Sequence, residues 1–142
     1  MSALHFPRAT ADLASFAGSD TTATSIRALL LHVITNPLVY AKVQAEIYAA
    51  VTSGELSRPC LDLEARALVY LQACIKEGLR VFPPITALRE RVVPKGGDIL
   101  HGTFIPGGTN IGLNLPGLLM NEVFLPDPKV FRPERWLEAG PE

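Results

Sequence analysis

The chain has 142 residues, 13 basic and 14 acidic side chains, and a formal net charge of −1. Nothing in that balance makes a surface for phosphate backbones, so nucleic acid is not an expected partner. Hydrophobic residues make up 48% and charged residues 19%, enough apolar material for one domain that buries about two-thirds of its surface.

The most apolar stretch, residues 28–35, is short and is punctuated by Arg27 and His32, whereas a membrane span needs about 20 apolar residues. The start, Met1-Ser2-Ala3-Leu4-His5-Phe6-Pro7-Arg8, lacks the basic-then-apolar plan of a signal peptide. There are two cysteines, Cys60 and Cys74, with no Cys-x-x-Cys and no histidine at metal-ligand spacing. They read as reduced thiols, with Cys74 buried, and no metal site is expected within the chain.

Residues 11–35 follow a helical period, with Ile26, Leu29, Leu30 and Val33 as the stripe. Asn36-Pro37 then reads as the start of a second helix, because Asn accepts from an orphan amide and Pro suits the first helical position. Val39, Val43, Ile47 and Ala50 share one face, and the helix ends near Thr52-Ser53-Gly54. After a loop, a third helix runs from Asp62 or Ala67 to Val81. Leu71, Ile75, Leu79 and Phe82 make its core-facing stripe, and Pro83-Pro84 ends it.

Beyond the prolines the period changes. Residues 88–93 favour an extended segment, Lys95-Gly96-Gly97 a turn, residues 98–105 one or two short strands, and Pro106-Gly107-Gly108 another turn before a strand at 109–113. Together these read as one small antiparallel sheet. The last part, rich in Pro and aromatics, reads as one short helix and structured coil. The chain is therefore a single unit over 1–142, with an atypical start at 1–10, a helical part at 11–82 and a β/coil part at 83–142.

Three motifs need a reason beyond packing. Ala17-Gly18-Ser19-Asp20-Thr21-Thr22 falls inside the first helical pattern, where glycine costs about 1 kcal/mol against alanine and hydroxyl side chains form helix poorly. It reads either as a functional interruption or as a helix start capped by Ser19 or Asp20. Glu77 and Arg80 are helical neighbours away from the Leu71/Ile75/Leu79 stripe. On spacing alone they could be a solvent-exposed pair, and Glu55-Leu56-Ser57-Arg58 repeats that spacing in a loop. Arg89 and Arg91 alternate onto one side of an extended segment, where a solvated strand face is the plain alternative. His101 reads as an exposed strand histidine, and Trp136 as a core aromatic.

Taken in order, Ala17-Gly18-Ser19-Asp20-Thr21-Thr22, the run Tyr70-Leu71-Gln72-Ala73-Cys74-Ile75-Lys76-Glu77-Gly78-Leu79-Arg80-Val81-Phe82-Pro83-Pro84, and Arg132-Pro133-Glu134-Arg135-Trp136 resemble the cytochrome P-450 superfamily of haem-thiolate monooxygenases. The resemblance covers residues 11–139. The run from Gly96 to Pro106 looks most like fungal microsomal members. It implies a mainly α fold with a small antiparallel β part (α+β), a partial cytochrome P-450 fold.

In that family the first motif lies on the helix crossing over the haem. Ala17 and Gly18 then match its haem-facing small residues, where local widening opens a groove. Asp20 and Thr21 match the acid–alcohol pair for proton delivery to bound oxygen. Glu77 and Arg80 match the pair that locks onto the arginine of the Pro-Glu-Arg element, here Arg135. Arg91 matches a haem-propionate partner.

The resemblance further implies a parent protein with haem b held by cysteine, an NADPH-dependent reductase as electron donor, an apolar small-molecule substrate and attachment to the endoplasmic reticulum membrane. Neither cysteine here lies in a Phe-x-x-Gly-x-Arg-x-Cys context, so the chain alone is expected to bind no thiolate-ligated haem and to be inactive. The alternative is a non-catalytic remnant or helical binding module without haem. Leu119-Met120 and Leu125 depart from the family's usual His-Arg and glycine.

Overall fold

In the computed structural model, residues 8–122 and 126–138 are described. The start at 1–7 and the departure at Leu125 lie outside them. The first helix, α1 (Arg8–Thr35), runs unbroken through Gly18, Asp20 and Thr21, so this stretch is helix interior and not a helix start. Thr21 Oγ1 instead donates to the Ala17 carbonyl one turn back at 2.9 Å, which satisfies the hydroxyl within the helix.

Helix α2 (Pro37–Ser53) follows after one residue. Asn36 sits at its N-cap, but the side chain makes no cap there. Its Nδ2 turns back and donates to the His32 carbonyl at 2.7 Å, closing the end of α1 rather than opening α2. The amide group can do either job, and here the orphan carbonyl of α1 takes it. Val39, Val43 and Ala50 are buried along α2 as its pattern implies.

The third helical region is two helices, α3 (Asp62–Ala67) and α4 (Val69–Val81), with Leu68 between them. Leu68 caps neither helix with a side chain. The first turn of α4 is served from another helix: Glu46 of α2 accepts from the Tyr70 and Leu71 amides at 2.7 and 2.9 Å. A carboxylate at a helix N-terminus meets both orphan amides and the positive end of the dipole.

Val33, Val39, Val43 and Cys74 form the core where α1, α2 and α4 meet, with Leu29, Ile47, Tyr70, Leu71 and Phe131 packed around it. Gly78 packs against Leu29 of α1, where a Cβ would make an ordinary contact at 3.4 Å from Leu29 Cδ1. His32 stacks on Phe131 with ring centroids 4.8 Å apart, tying the end of α1 to the C-terminal coil.

The β part is two separate two-stranded antiparallel ladders, not one sheet. β1 (Arg91–Val92) pairs with β4 (Asn110–Ile111), with Arg91 opposite Ile111. β2 (Asp98–Leu100) pairs with β3 (Thr103–Ile105) inside that loop. Pro94 and Pro106 flank the inner hairpin and have no N–H to donate, which interrupts the ladder between the pairs. His101 and Gly102 form the two-residue hairpin turn, both with positive φ (49° and 78°), the arrangement that matches strand twist. His101 is therefore a turn residue, not a strand one. Arg89 also has positive φ, 50°, so the extended alternation expected for Arg89 and Arg91 is broken at Arg89.

Two short helices, α5 (Leu115–Leu119) and α6 (Arg135–Glu138), complete the described chain. The sequence implies one short helix in this part, and the structure has two; Asn114 caps α5 by accepting from the Gly117 amide at 3.1 Å.

Candidate functional site

Helix α4 places Glu77 and Arg80 one turn apart, and the coil around α6 closes over them. The resulting cluster is the most buried polar group described: Glu77 is 0% exposed, Arg80 2% and Arg135 7%. Here the expected stripe of α4 is corrected. Leu79 and Phe82 are 42% and 52% exposed, while Cys74, Glu77 and Gly78 face inward. Charges can occupy a buried face when all their hydrogen-bonding groups are met.

Glu77 meets that condition. Its Oε1 accepts from Arg80 NH2 at 2.8 Å, the Arg132 amide at 2.9 Å and Arg135 Nε at 2.9 Å. Its Oε2 accepts from Arg80 Nε and the Trp136 indole, both at 2.9 Å. Five donors therefore fill a carboxylate with about four lone-pair sites. The remaining guanidinium donors reach backbone carbonyls: Arg80 those of Leu119, Pro128 and Val130, and Arg135 those of Pro126, Asp127 and Val130. Two positive charges thus share one negative one, with carbonyl dipoles taking up the excess.

Burial alone would push the Glu77 carboxyl up. The hydrogen bonds from Arg80, the Arg132 amide, Trp136 and Arg135 outweigh it and hold the group below the usual glutamate range. Trp136 is therefore more than a packing aromatic.

The other predicted residues lie elsewhere. Ala17, Gly18 and Asp20 are exposed on α1, and Thr21 is half-buried beside them. A Cβ at Gly18 would meet nothing within 4 Å, so this stretch borders open space. Asp20 and Thr21 occupy successive helical positions, which do not face each other. Arg91 is exposed on β1, and its NH1 reaches the carbonyls of Glu90 and Arg89 at 3.0 and 3.5 Å. Among the described residues no ion pair to Arg91 is recorded. The structure thus brings together Glu77, Arg80 and Arg135, keeps Ala17, Gly18, Asp20 and Thr21 on one helical segment, and sets Arg91 apart.

A second polar group escaped sequence reasoning. Glu134 Oε1 accepts from Lys42 Nζ at 2.6 Å and from the Tyr70 hydroxyl at 2.9 Å. Its partners lie 92 and 64 positions away, so no local pattern could find them. Trp136 had one usable signal: it is the only tryptophan, and a buried indole N–H seeks an acceptor.

Residues 7–141 match the family model described as Cytochrome P450. The chain belongs to the cytochrome P450 family. Cytochrome P450 monooxygenase ABA1 of Pyricularia oryzae is 50% identical over 125 residues, covering 87% of this chain and 24% of that protein. Cytochrome P450 monooxygenase aba1 of Botryotinia fuckeliana is 46% identical over 123 residues, covering 86% and 24%. A zebra fish cytochrome P450 structure with progesterone superposes with a TM-score of 0.77 at 30% identity, covering 88% of this chain and 29% of that one. The P450 chain spans about a quarter of the length of these curated relatives, and its helices with small antiparallel ladders are a partial α+β P450 fold.

Haem is the cofactor of this family. The two cysteines do not fit as its thiolate ligand. Cys74 is wholly buried in the α1/α2/α4 core, where burial and the nearby Glu134, Glu46 and Glu77 push its thiol up to about 12. Cys60 lies in the loop before α3 and turns its thiol to the Leu61 carbonyl. No described cluster of His, Cys, Asp or Glu could hold a metal ion. Among the described helices no single one is long and apolar enough to cross a membrane; α1 from Ser15 with α2 passes only as a pair bent by 106°.

Proposed function

We propose that this P450 chain is the scaffold and proton-relay portion of a haem-dependent monooxygenase acting on an apolar small molecule, with O2 as co-substrate and electrons from an NADPH-dependent reductase. The observation that supports the reading is Glu77 with its five donors, which joins α4 to the Pro-Glu-Arg turn. Glu77, Arg80 and Arg135 hold that turn in place. Haem b would supply the oxygen chemistry when bound, and neither Cys60 nor Cys74 suits as its thiolate ligand. Arg91 offers a charge-assisted contact to a propionate.

Asp20 and Thr21 deliver protons in this reading. Asp20 is exposed, so it exchanges protons with bulk water. The Thr21 hydroxyl donates to the Ala17 carbonyl, which leaves its oxygen free to accept. Because the two side chains do not face each other, a water between them completes the path. The relatives' family also suggests attachment of the whole protein to the endoplasmic reticulum membrane.

The test is a reductase-coupled assay on the full-length protein. Asp20→Asn and Thr21→Ala each lower product formation by about 10²–10⁴-fold, the usual worth of a positioned acid–base group, at unchanged haem content. Full activity in both variants would remove the relay. A second reading, a non-catalytic helical binding module without haem, is favoured by the exposed Leu38, Leu63 and Phe16, each 77–81% accessible. Absence of any haem absorbance in the full-length protein would favour it.

A further inference from the structure

The Glu77 cluster holds the C-terminal coil against α4 and the His32–Phe131 stack holds it against α1, but neither contact involves Glu134 or reaches α2. Glu134 and Arg135 are consecutive residues held by different parts of α4: Glu134 by the Tyr70 hydroxyl, Arg135 by Glu77. Seven helical residues separate those anchors, about 10 Å along the helix axis at 1.5 Å per residue. Tyr70 is itself held at both ends, its amide by Glu46 and its hydroxyl by Glu134. Lys42 completes the arrangement from α2, ion-paired to Glu134 and placed over the Tyr70 ring at 5.4 Å.

We propose that Glu134 is a second latch: by bridging Lys42 of α2 and Tyr70 of α4, it sets the orientation in which Arg135 and Trp136 meet Glu77. Glu134 is a positioning residue and acts through its neighbours. An ion pair as exposed as Lys42–Glu134, with side chains 55% and 30% accessible, contributes little to stability alone. Its effect is local, on the segment it orients.

The groups recorded as acting on or with Glu134 are Lys42 from α2 and Tyr70 and Cys74 from α4; Glu46 and Glu77 act on Tyr70 and Cys74 beside it. Partial burial pushes the Glu134 carboxyl up. The bonds from Lys42, its own amide and Tyr70 outweigh this and hold it below its ordinary value of 4.5. The latch is therefore closed above that pH and opens as pH falls through the lowered value.

Hydrogen exchange of the full chain, read by mass spectrometry on peptides, tests this. Tyr70→Phe removes one hydrogen bond and should speed exchange in 126–138 about fivefold, the opening expected for one net bond, with the 98–105 hairpin unchanged. Lys42→Met should act in the same direction, and Lys42→Arg should restore protection. Equal acceleration in every peptide would reduce Glu134 to a general stabiliser and overturn the proposal, as would no change in 126–138. If a variant fails to fold, the acid-induced release of 126–138 between pH 6 and pH 3 decides: Glu134→Gln should remove part of the release that the unsubstituted chain shows, because Glu77 titrates in both chains and Glu134 in one. After correction for intrinsic rates, 126–138 should lose protection before 98–105; simultaneous loss overturns the latch.

Discussion

Glu77 balances two guanidinium groups with one carboxylate, and its removal leaves both positive charges in a dry site. Breaking a buried pair from one side costs about 3–5 kcal/mol, which is comparable with the whole stability of a small domain. Glu77→Ala should therefore abolish a cooperative urea transition. Trp136→Phe removes only one of five donors and should cost about 1–2 kcal/mol, seen as a lower urea midpoint with the slope retained. The pH dependence follows from the sign of the Glu77 shift. Its folded-state value is depressed, so its contribution is fully present above the ordinary 4.5 and is lost as pH falls through the lowered value. Glu77→Gln, if it folds, should show a shallower loss of stability between pH 5 and 3 than the unsubstituted chain; an identical slope would count against an ionised Glu77.

The helices differ in whether their ends are served locally. Helix α2 stops at Gly54 in the left-handed region, φ 78°, a signal legible in the sequence, as were Pro37 at its start and Pro83-Pro84 after α4. The start of α4 was not legible, because Leu68 has no capping side chain and Glu46 does the work from 24 residues away. Glu46→Ala should lower the thermal midpoint by an amount equivalent to about 1–2 kcal/mol, the worth of a cap plus its dipole contribution. Asn36→Ala should cost less than that, since its side chain leaves the α2 amides alone and holds only the His32 carbonyl. The two substitutions together invert the ranking that local capping rules give. Turn chemistry was half legible: the Gly/Pro turns were placed correctly, but the left-handed His101 and Arg89 were read as extended. Positive φ is uncommon for a residue with a side chain, less so for His than for Arg, and at His101 the two-residue hairpin turn requires it.

At the scale of the whole chain, apolar composition was visible from the start, but its distribution was not. The stripe assigned to α1 includes Ile26 and Leu30, which are 52% and 55% exposed, while Val33 is buried at 8%. With Leu31 and Ile34 also apolar, the last turns of α1 are hydrophobic nearly all round, and periodicity cannot choose a face for such a stretch. The family relationship could place Glu77, Arg80 and Arg135, because residue types and order carry that information; Lys42, Tyr70 and Glu134 meet only through the fold. The accessible surface is 11004 Å², whereas a compact monomer of 15.3 kDa exposes about 7,100 Å² by the size scaling of folded proteins. The excess includes large side chains on α1 and α2 such as Leu38 at 81% and Tyr48 at 63%. Apolar area of this extent drives association. The isolated chain should therefore enhance the fluorescence of an apolar-sensitive dye and sediment faster as concentration rises. Replacing Leu38 and Tyr48 together by lysine should weaken both effects without altering the far-ultraviolet circular dichroism, because neither side chain belongs to the Val33/Val39/Val43/Cys74 core. A concentration-independent monomer without dye binding would mean that this face closes on the chain itself.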